Sequence, residues 1–282
     1  MRTPACLFIC VHYHGMKETR EFLGSLDALK GNGYHCIVVD NSDDFEPCPG
    51  VAEAVREGLV TTAKPHENLG YFNGAQFGLD QFEGALPDWV VVCNADVTPR
   101  YDFLERLASA TVDDRSGVLA PRIVSMPDGE ELNPHLVRRP TAVAMHVRKL
   151  FLCSRLLRPL YFACNRFKRF VFHALRRPTT PRRPAPGRAV IYAAHGSCLV
   201  FHRRYFEAGG TLRHSTFLFG EEITVAETVR KLGLRILFEP SLQVQHRQHS
   251  STGKDPGTAA YQAESLRTIV GMFFPLFSQR HK

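Results

Sequence analysis

Short apolar runs that stop on acidic or amide residues, with helix-patterned stretches between them, constrain this chain more than any other feature. Cys6 to Val11 is almost wholly apolar, and Lys17 to Leu29 then repeats Phe22, Leu23, Leu26 and Leu29 at helical spacing. Cys36-Ile-Val-Val39 is a second run and ends in Asp40-Asn41-Ser42. Leu59 to Ala63 is a weaker third, and Gly74 to Phe82 reads as a helix. Trp89-Val-Val-Val-Cys93 is a fourth run and ends in Asn94-Ala95-Asp96. Runs this short, without polar alternation, are strands buried on both faces. Strands of that kind alternating with helices build an α/β domain whose mostly parallel sheet is covered on both sides. Such sheets bind ligands outside the carboxyl ends of their strands. Asp40 and Asp96 both stand at carboxyl ends, so a ligand site is expected there.

Further on, Val118-Leu-Ala120 reads as another strand and Pro127 to Asn133 as a turn-rich link. The alternation returns at Ala189 to Phe201. Glu221 to Leu232 is a helix that Gly233 stops, since a left-handed C-terminal cap favours glycine. Leu234 to Phe238 and Leu242 to Val244 read as two short strands, and Ala259 to Phe274 as an amphipathic helix.

The net charge of +7 has one source: residues 138–188 hold 14 Lys or Arg and no Asp or Glu, and the remainder is net acidic. Within 148–177, Arg148, Arg155, Arg158, Arg166, Arg169 and Arg176 share one side of a helical projection that Pro159 is expected to break in two. A basic amphipathic helix suits an anionic membrane surface. The alternatives are a helical flap packed on the body with solvated cations, and nucleic acid. No nucleic-acid-binding module accompanies the charge, so nucleic acid is not expected. No apolar stretch approaches the roughly 20 residues of a membrane span. Residues 5–11 read as a first strand and not as a signal peptide. The eight cysteines include no CxxC pair, and several lie in strand-like runs. That pattern speaks against structural zinc or a disulfide framework. It points to a reducing cytoplasm, with the basic segment as the means of peripheral attachment to the inner face of the cytoplasmic membrane.

Five stretches carry chemistry. Asp40, with Asn41, can accept from a base N–H or ribose hydroxyls, although Asp-Asn-Ser is also a turn former. Asn68-Leu-Gly70 begins a glycine-bearing loop ahead of a helix, where backbone can approach a ligand and a helix N-terminus favours an anion. Asn94-Ala95-Asp96 closes a buried strand, where Asp96 can supply one carboxylate to a hard divalent cation and Asn94 lies beside the cofactor, with helix capping ahead of Pro99 as the plainer use of Asp96. Glu221 and Glu222 open a helix after the aromatic run Phe217-Leu-Phe219. The helix dipole favours one such acid, whereas a carboxylate beside apolar surface has a raised proton affinity and suits a general base. His246 leaves a strand and is a candidate second metal ligand.

In this order, these stretches resemble the inverting family 2 glycosyltransferases, particularly bacterial enzymes that build surface polysaccharide, including rhamnosyltransferase-like members. The matching segments are Val38–Ser42, Asn68–Gly78, Trp89–Pro99, His195–Phe201 and Phe217–His246. The resemblance implies a GT-A-type nucleotide-diphospho-sugar transferase fold with a basic helical insertion. Its parts would be a nucleotide-sugar-binding half (1–137), the insertion (138–188), an acceptor and base half (189–257) and a C-terminal helix (258–282). It implies a hexosyl or rhamnosyl donor, a glycan or lipid-linked acceptor, and Mg2+ or Mn2+. Asp40 would meet the nucleotide, with Asn68 and Gly70 beside it. Asp96 matches the last carboxylate of the Asp-x-Asp-like metal motif, and His246 the histidine near metal or diphosphate. Glu222 matches the second acid of the Glu-Asp pair, the base; Glu221 is the alternative. Two departures stand out: Asn94 occupies the first acidic position of the metal motif, and the base pair is Glu-Glu. A rival reading is an inactive glycosyltransferase-like scaffold on the membrane, which intact Asp96 and Glu222 argue against.

Overall fold

The computed structural model describes residues 4–29, 33–46, 49–126, 128–154, 156–160, 163, 187–247 and 258–276. Nine strands form a single sheet in the order β3-β2-β1-β4-β8-β6-β9-β5, with β7 also on β9. They are β1 (Cys6–His12), β2 (Tyr34–Asp40), β3 (Val60–Ala63), β4 (Trp89–Asn94), β5 (Val97–Pro99), β6 (Ser116–Met126), β7 (Ala189–Ile191), β8 (Cys198–His202) and β9 (Arg235–Arg247). The helices are α1 (Met16–Asp27), α2 (Pro49–Arg56), α3 (Tyr71–Asp80), α4 (Phe103–Ala108), α5 (Ala142–Cys153), α6 (Arg203–Glu207), α7 (Glu221–Lys231) and α8 (Thr258–Phe273). Parallel pairing links β3, β2, β1 and β4, and again β6 and β9, while β5, β7 and β8 pair antiparallel to their neighbours. The expected mostly parallel sheet is therefore present.

Side-chain alternation along β1 explains the layering. Cys6, Phe8 and Cys10 face one core with Phe22 and Leu26 of α1 and Phe103 of α4. Leu7 and Ile9 face the other, with Phe72 of α3 and Val225 and Val229 of α7. Each fully buried side chain of this size contributes about 1.5–3 kcal/mol, so both helical layers are held to the sheet by the same strands. The described cysteines are free, and five of the six are buried.

Several elements differ from expectation for physical reasons. The two short strands expected at Leu234–Phe238 and Leu242–Val244 are one strand, β9, which starts at Arg235 and whose pairing with β6 slips between Pro121–Glu239 and Arg122–Gln243. The slip falls beside Pro240, which has no N–H for a ladder. Strand β5 was not anticipated; three residues are too few to show a period. The break in the basic segment comes at Ser154, extended at ψ 124°, before Pro159. Helix α5 packs on α8: Met145 joins Leu266, Ile269, Val270 and Phe273 in a third apolar cluster that also takes in Ile223 of α7. That is the flap arrangement for residues 142–153. Arg155, Arg166, Arg169 and Arg176 lie outside the described residues. Among the described residues no helix is long and apolar enough to cross a membrane.

Candidate active site

A cavity of about 480 Å³ opens where β1, β2, β4 and β9 end and β8 begins. Of the sequence-derived candidates, Asn41, Asn68, Gly70, Asn94, Asp96, Glu221, Glu222 and His246 line it. Asp40 does not. Its carboxylate is buried and accepts from the backbone N–H of Ser42 and Phe45, each at 3.1 Å. It shapes the loop that carries Asn41.

The wall at the β1–β2 end is built from loops that touch. Asn41 Nδ2 donates to the Gly70 carbonyl at 2.8 Å, and Gly70 N donates to Asn68 Oδ1 at 2.9 Å. Gly70 has φ +75° and ψ −169°, a region essentially limited to glycine. A Cβ there would lie 1.9 Å from the carbonyl oxygen of Phe217. The 68–70 loop and the aromatic segment before α7 are thereby pressed together.

In the middle stands the Asp96–His246 pair. Strand β5 places it: Val97 pairs with His246 across the β5–β9 ladder, and Arg247 N donates to the Asp96 carbonyl at 3.0 Å. Asp96 Oδ1 and His246 Nε2 are 3.1 Å apart, and both side chains are nearly buried. His246 Nδ1 is sealed from solvent with no hydrogen-bond partner among the described residues. One carboxylate oxygen and one imidazole nitrogen this close together form a donor set of the kind that divalent cations such as Mn2+ accept. The residues fit a divalent cation. A second grouping of ligand-type atoms, His12, Asp40 and Asp44, has them within 4.8 Å of one another. These residues are already engaged: His12 with Thr19 and Asp44, and Asp40 with its own loop.

The opposite wall carries the acids. Phe219, at φ +67°, and Gly220, at φ +89°, turn the chain into α7 so that Glu221 and Glu222 fall in its first turn. Gly220 lies against α8, since a Cβ there would be 1.9 Å from Ile269 Cδ1. Burial, and then the neighbouring Glu222, push the Glu221 carboxyl well above its ordinary range. The Gly196 N–H donates to Glu222 Oε1 at 3.4 Å, and Tyr71 Oη donates to the Gly196 carbonyl at 3.0 Å.

Tyr71, His195, Ser197 and Tyr261 also line the cavity and were not singled out from sequence. His195 opens the His195–Phe201 stretch, but a histidine before a Gly-Ser pair carries no period or spacing of its own. Burial lowers its imidazole to about 4, against an opposing influence from Glu222.

The profile of glycosyl transferase family 2 matches residues 7–210. The N-acetylglucosaminyl-diphospho-decaprenol L-rhamnosyltransferase of Mycobacterium tuberculosis is 26% identical over 270 residues, covering 89% of this chain and 78% of the relative. Among solved structures, GalNAc-T7 with UDP, GalNAc and Mn2+ superposes with a TM-score of 0.58 at 13% identity, covering 94% of this chain and 48% of that one. Staphylococcus aureus TarS 1–349 in complex with UDP-GlcNAc gives 0.54 at 14% identity, covering 94% and 65%. This chain thus spans about half of the first of these structures and just under two thirds of the second. At such identities the structural likeness is one of fold.

Proposed function

The chain belongs to glycosyl transferase family 2, and from that membership we propose that it transfers a hexosyl or rhamnosyl group from a nucleotide-diphosphate sugar to an acceptor hydroxyl, with inversion, in the assembly of a bacterial surface polysaccharide. The observation that carries this reading is one cavity in which the Asn41–Asn68–Gly70 wall, the Asp96–His246 pair and the Glu221–Glu222 pair meet. The nucleotide lies along the first wall. A Mg2+ or Mn2+ ion held by Asp96 and His246 would offset the charge that gathers on the leaving diphosphate.

Two adjacent carboxylates share one proton more readily than they both ionise. Burial, and then the charge of its neighbour, favour the protonated form of Glu221. Glu222 is then the carboxylate that accepts the acceptor's hydroxyl proton. As it does so, the acceptor oxygen bonds to the anomeric carbon from the face opposite the diphosphate, and the bond from that carbon to the phosphate oxygen breaks. A single displacement inverts the configuration. Glu222→Gln should lower turnover by at least about 100-fold, the scale of a lost general base, while nucleotide-sugar binding measured by calorimetry stays near wild type. Near-normal transfer by that variant would reassign the base.

The acceptor is proposed to be a lipid-linked glycan, the substrate class named for the mycobacterial relative. Residues 148–177 would then rest on an anionic membrane surface at the inner face of the cytoplasmic membrane. Helix α5 supports this through Val143, Val147 and Leu150, exposed on the same helix as Arg148 and Lys149. Flotation with vesicles should require anionic lipid; binding to neutral vesicles alone would count against the surface.

A further inference from the structure

His195 stands between the Asp96–His246 pair and the acids of α7, and the mechanism above leaves it without a part. Its ring centroid is 5.8 Å from that of His246, and the backbone N–H of the next residue, Gly196, donates to Glu222 Oε1 at 3.4 Å. The backbone holds it firmly. His195 N donates to Asn133 Oδ1 at 2.8 Å, and Asn133, itself buried, donates from Nδ2 to the Pro121 carbonyl at 2.9 Å.

The ring's own hydrogen bonds decide its chemistry. Nδ1 accepts from the backbone N–H of Ser197 at 3.2 Å and has the Ser197 hydroxyl at 3.0 Å. A nitrogen that accepts carries no proton, so in the neutral ring the proton is on Nε2. Nε2 is therefore a donor with no lone pair to give a metal. No described group accepts from it, and the residue lines the cavity. The arrangement is a fixed N–H donor between the expected place of the diphosphate and that of the acceptor oxygen.

Resting on the nucleotide-sugar reading above, we propose that His195 is a specificity-determining residue whose Nε2–H donates to a hydroxyl or ring oxygen of the transferred sugar. The sugar is the one part of the donor that must bridge the metal pair and the base. A single fixed N–H donor matches a hydroxyl or ring oxygen, whereas the diphosphate is matched by the cation site.

The test measures calorimetric binding in the presence of Mn2+, comparing UDP-GlcNAc and dTDP-rhamnose with UDP and dTDP. His195→Asn keeps an oxygen near Nδ1 for the Ser197 N–H but removes the donor at Nε2. His195→Gln places an amide N–H near the Nε2 position. Losing one neutral hydrogen bond corresponds to about a ten-fold change in affinity. We expect His195→Asn to bind the preferred sugar nucleotide about ten-fold more weakly, with the parent nucleoside diphosphate unchanged and His195→Gln recovering part of the loss. Equal weakening of both ligands, or no weakening of either, overturns the proposal. So does failure of His195→Gln to recover any affinity. A wild-type chain that binds none of the four probes overturns the donor reading itself, and this inference with it.

Discussion

Replacing Glu227 by Gln tests how the base-bearing helix is held. Glu227 lies on α7 and is 1% exposed. Its Oε1 accepts from Arg139 Nε at 2.6 Å and Tyr192 Oη at 2.7 Å, and its Oε2 from Arg230 at 2.9 Å. Arg139 also donates to the Phe273 carbonyl at 2.7 Å and stacks 4.5 Å from the Phe274 ring centre. One carboxylate thus ties the segment entering the flap, helix α7 and the end of α8 together. Breaking a buried ion pair from one side costs about 3–5 kcal/mol. Arg139 is 37% and Arg230 58% exposed, so both cations can turn to water after the substitution, and the lower end applies. At about 2 °C per kcal/mol for a chain of this size, the melting temperature should fall by about 6 °C. The pH dependence has a definite sign. Burial alone would raise the Glu227 carboxyl, but hydrogen bonds from Arg139, Tyr192 and Arg230 outweigh it and hold it below its usual range. A depressed carboxyl stabilises the fold fully above its unfolded pKa of about 4.3 and loses that contribution as pH falls through the folded value. Melting curves of wild type and Glu227→Gln should therefore differ most at pH 7, draw together only as pH falls below about 4.3, and converge below the depressed folded value. A gap under about 2 °C at pH 7, or one that does not change with pH, refutes the clamp.

Gly70→Ala should abolish donor binding while most of the sheet core persists. The new methyl group would need a strained positive φ and would displace the Phe217 carbonyl; calorimetry with circular dichroism checks both, and retained binding would show that the two loops can separate freely. Asp96→Asn should remove the effect of Mn2+ on nucleotide-sugar affinity, seen as identical titrations with and without EDTA; a persisting metal effect would move the cation away from the Asp96–His246 pair.

The alternation of buried runs and helical stretches was legible because strand burial and helix periodicity are set by residues a few positions apart. Strand tips were legible for the same reason: β2 and β4 end where apolar residues give way to Asp40-Asn41 and Asn94. The acids at the start of α7 follow from local chemistry too, a positive-φ glycine followed by two carboxylates in the first turn. Side-chain direction was not legible. Asp40 and Asn41 are neighbours, yet the loop amides draw the carboxylate of one inward and leave the other lining the cavity.

Pairing between distant segments was equally hidden from sequence. The three-residue strand β5 has no pattern of its own, but its ladder with β9 is what brings Asp96 to His246. Likewise, nothing around His195 announces that Ser197 fixes its tautomer or that Asn133 fixes its backbone. Local stereochemistry, written residue by residue, determined which elements this chain forms and where they end. Long-range packing, which depends on residues far apart in the chain meeting at one sheet edge, decided which of those ends became a site.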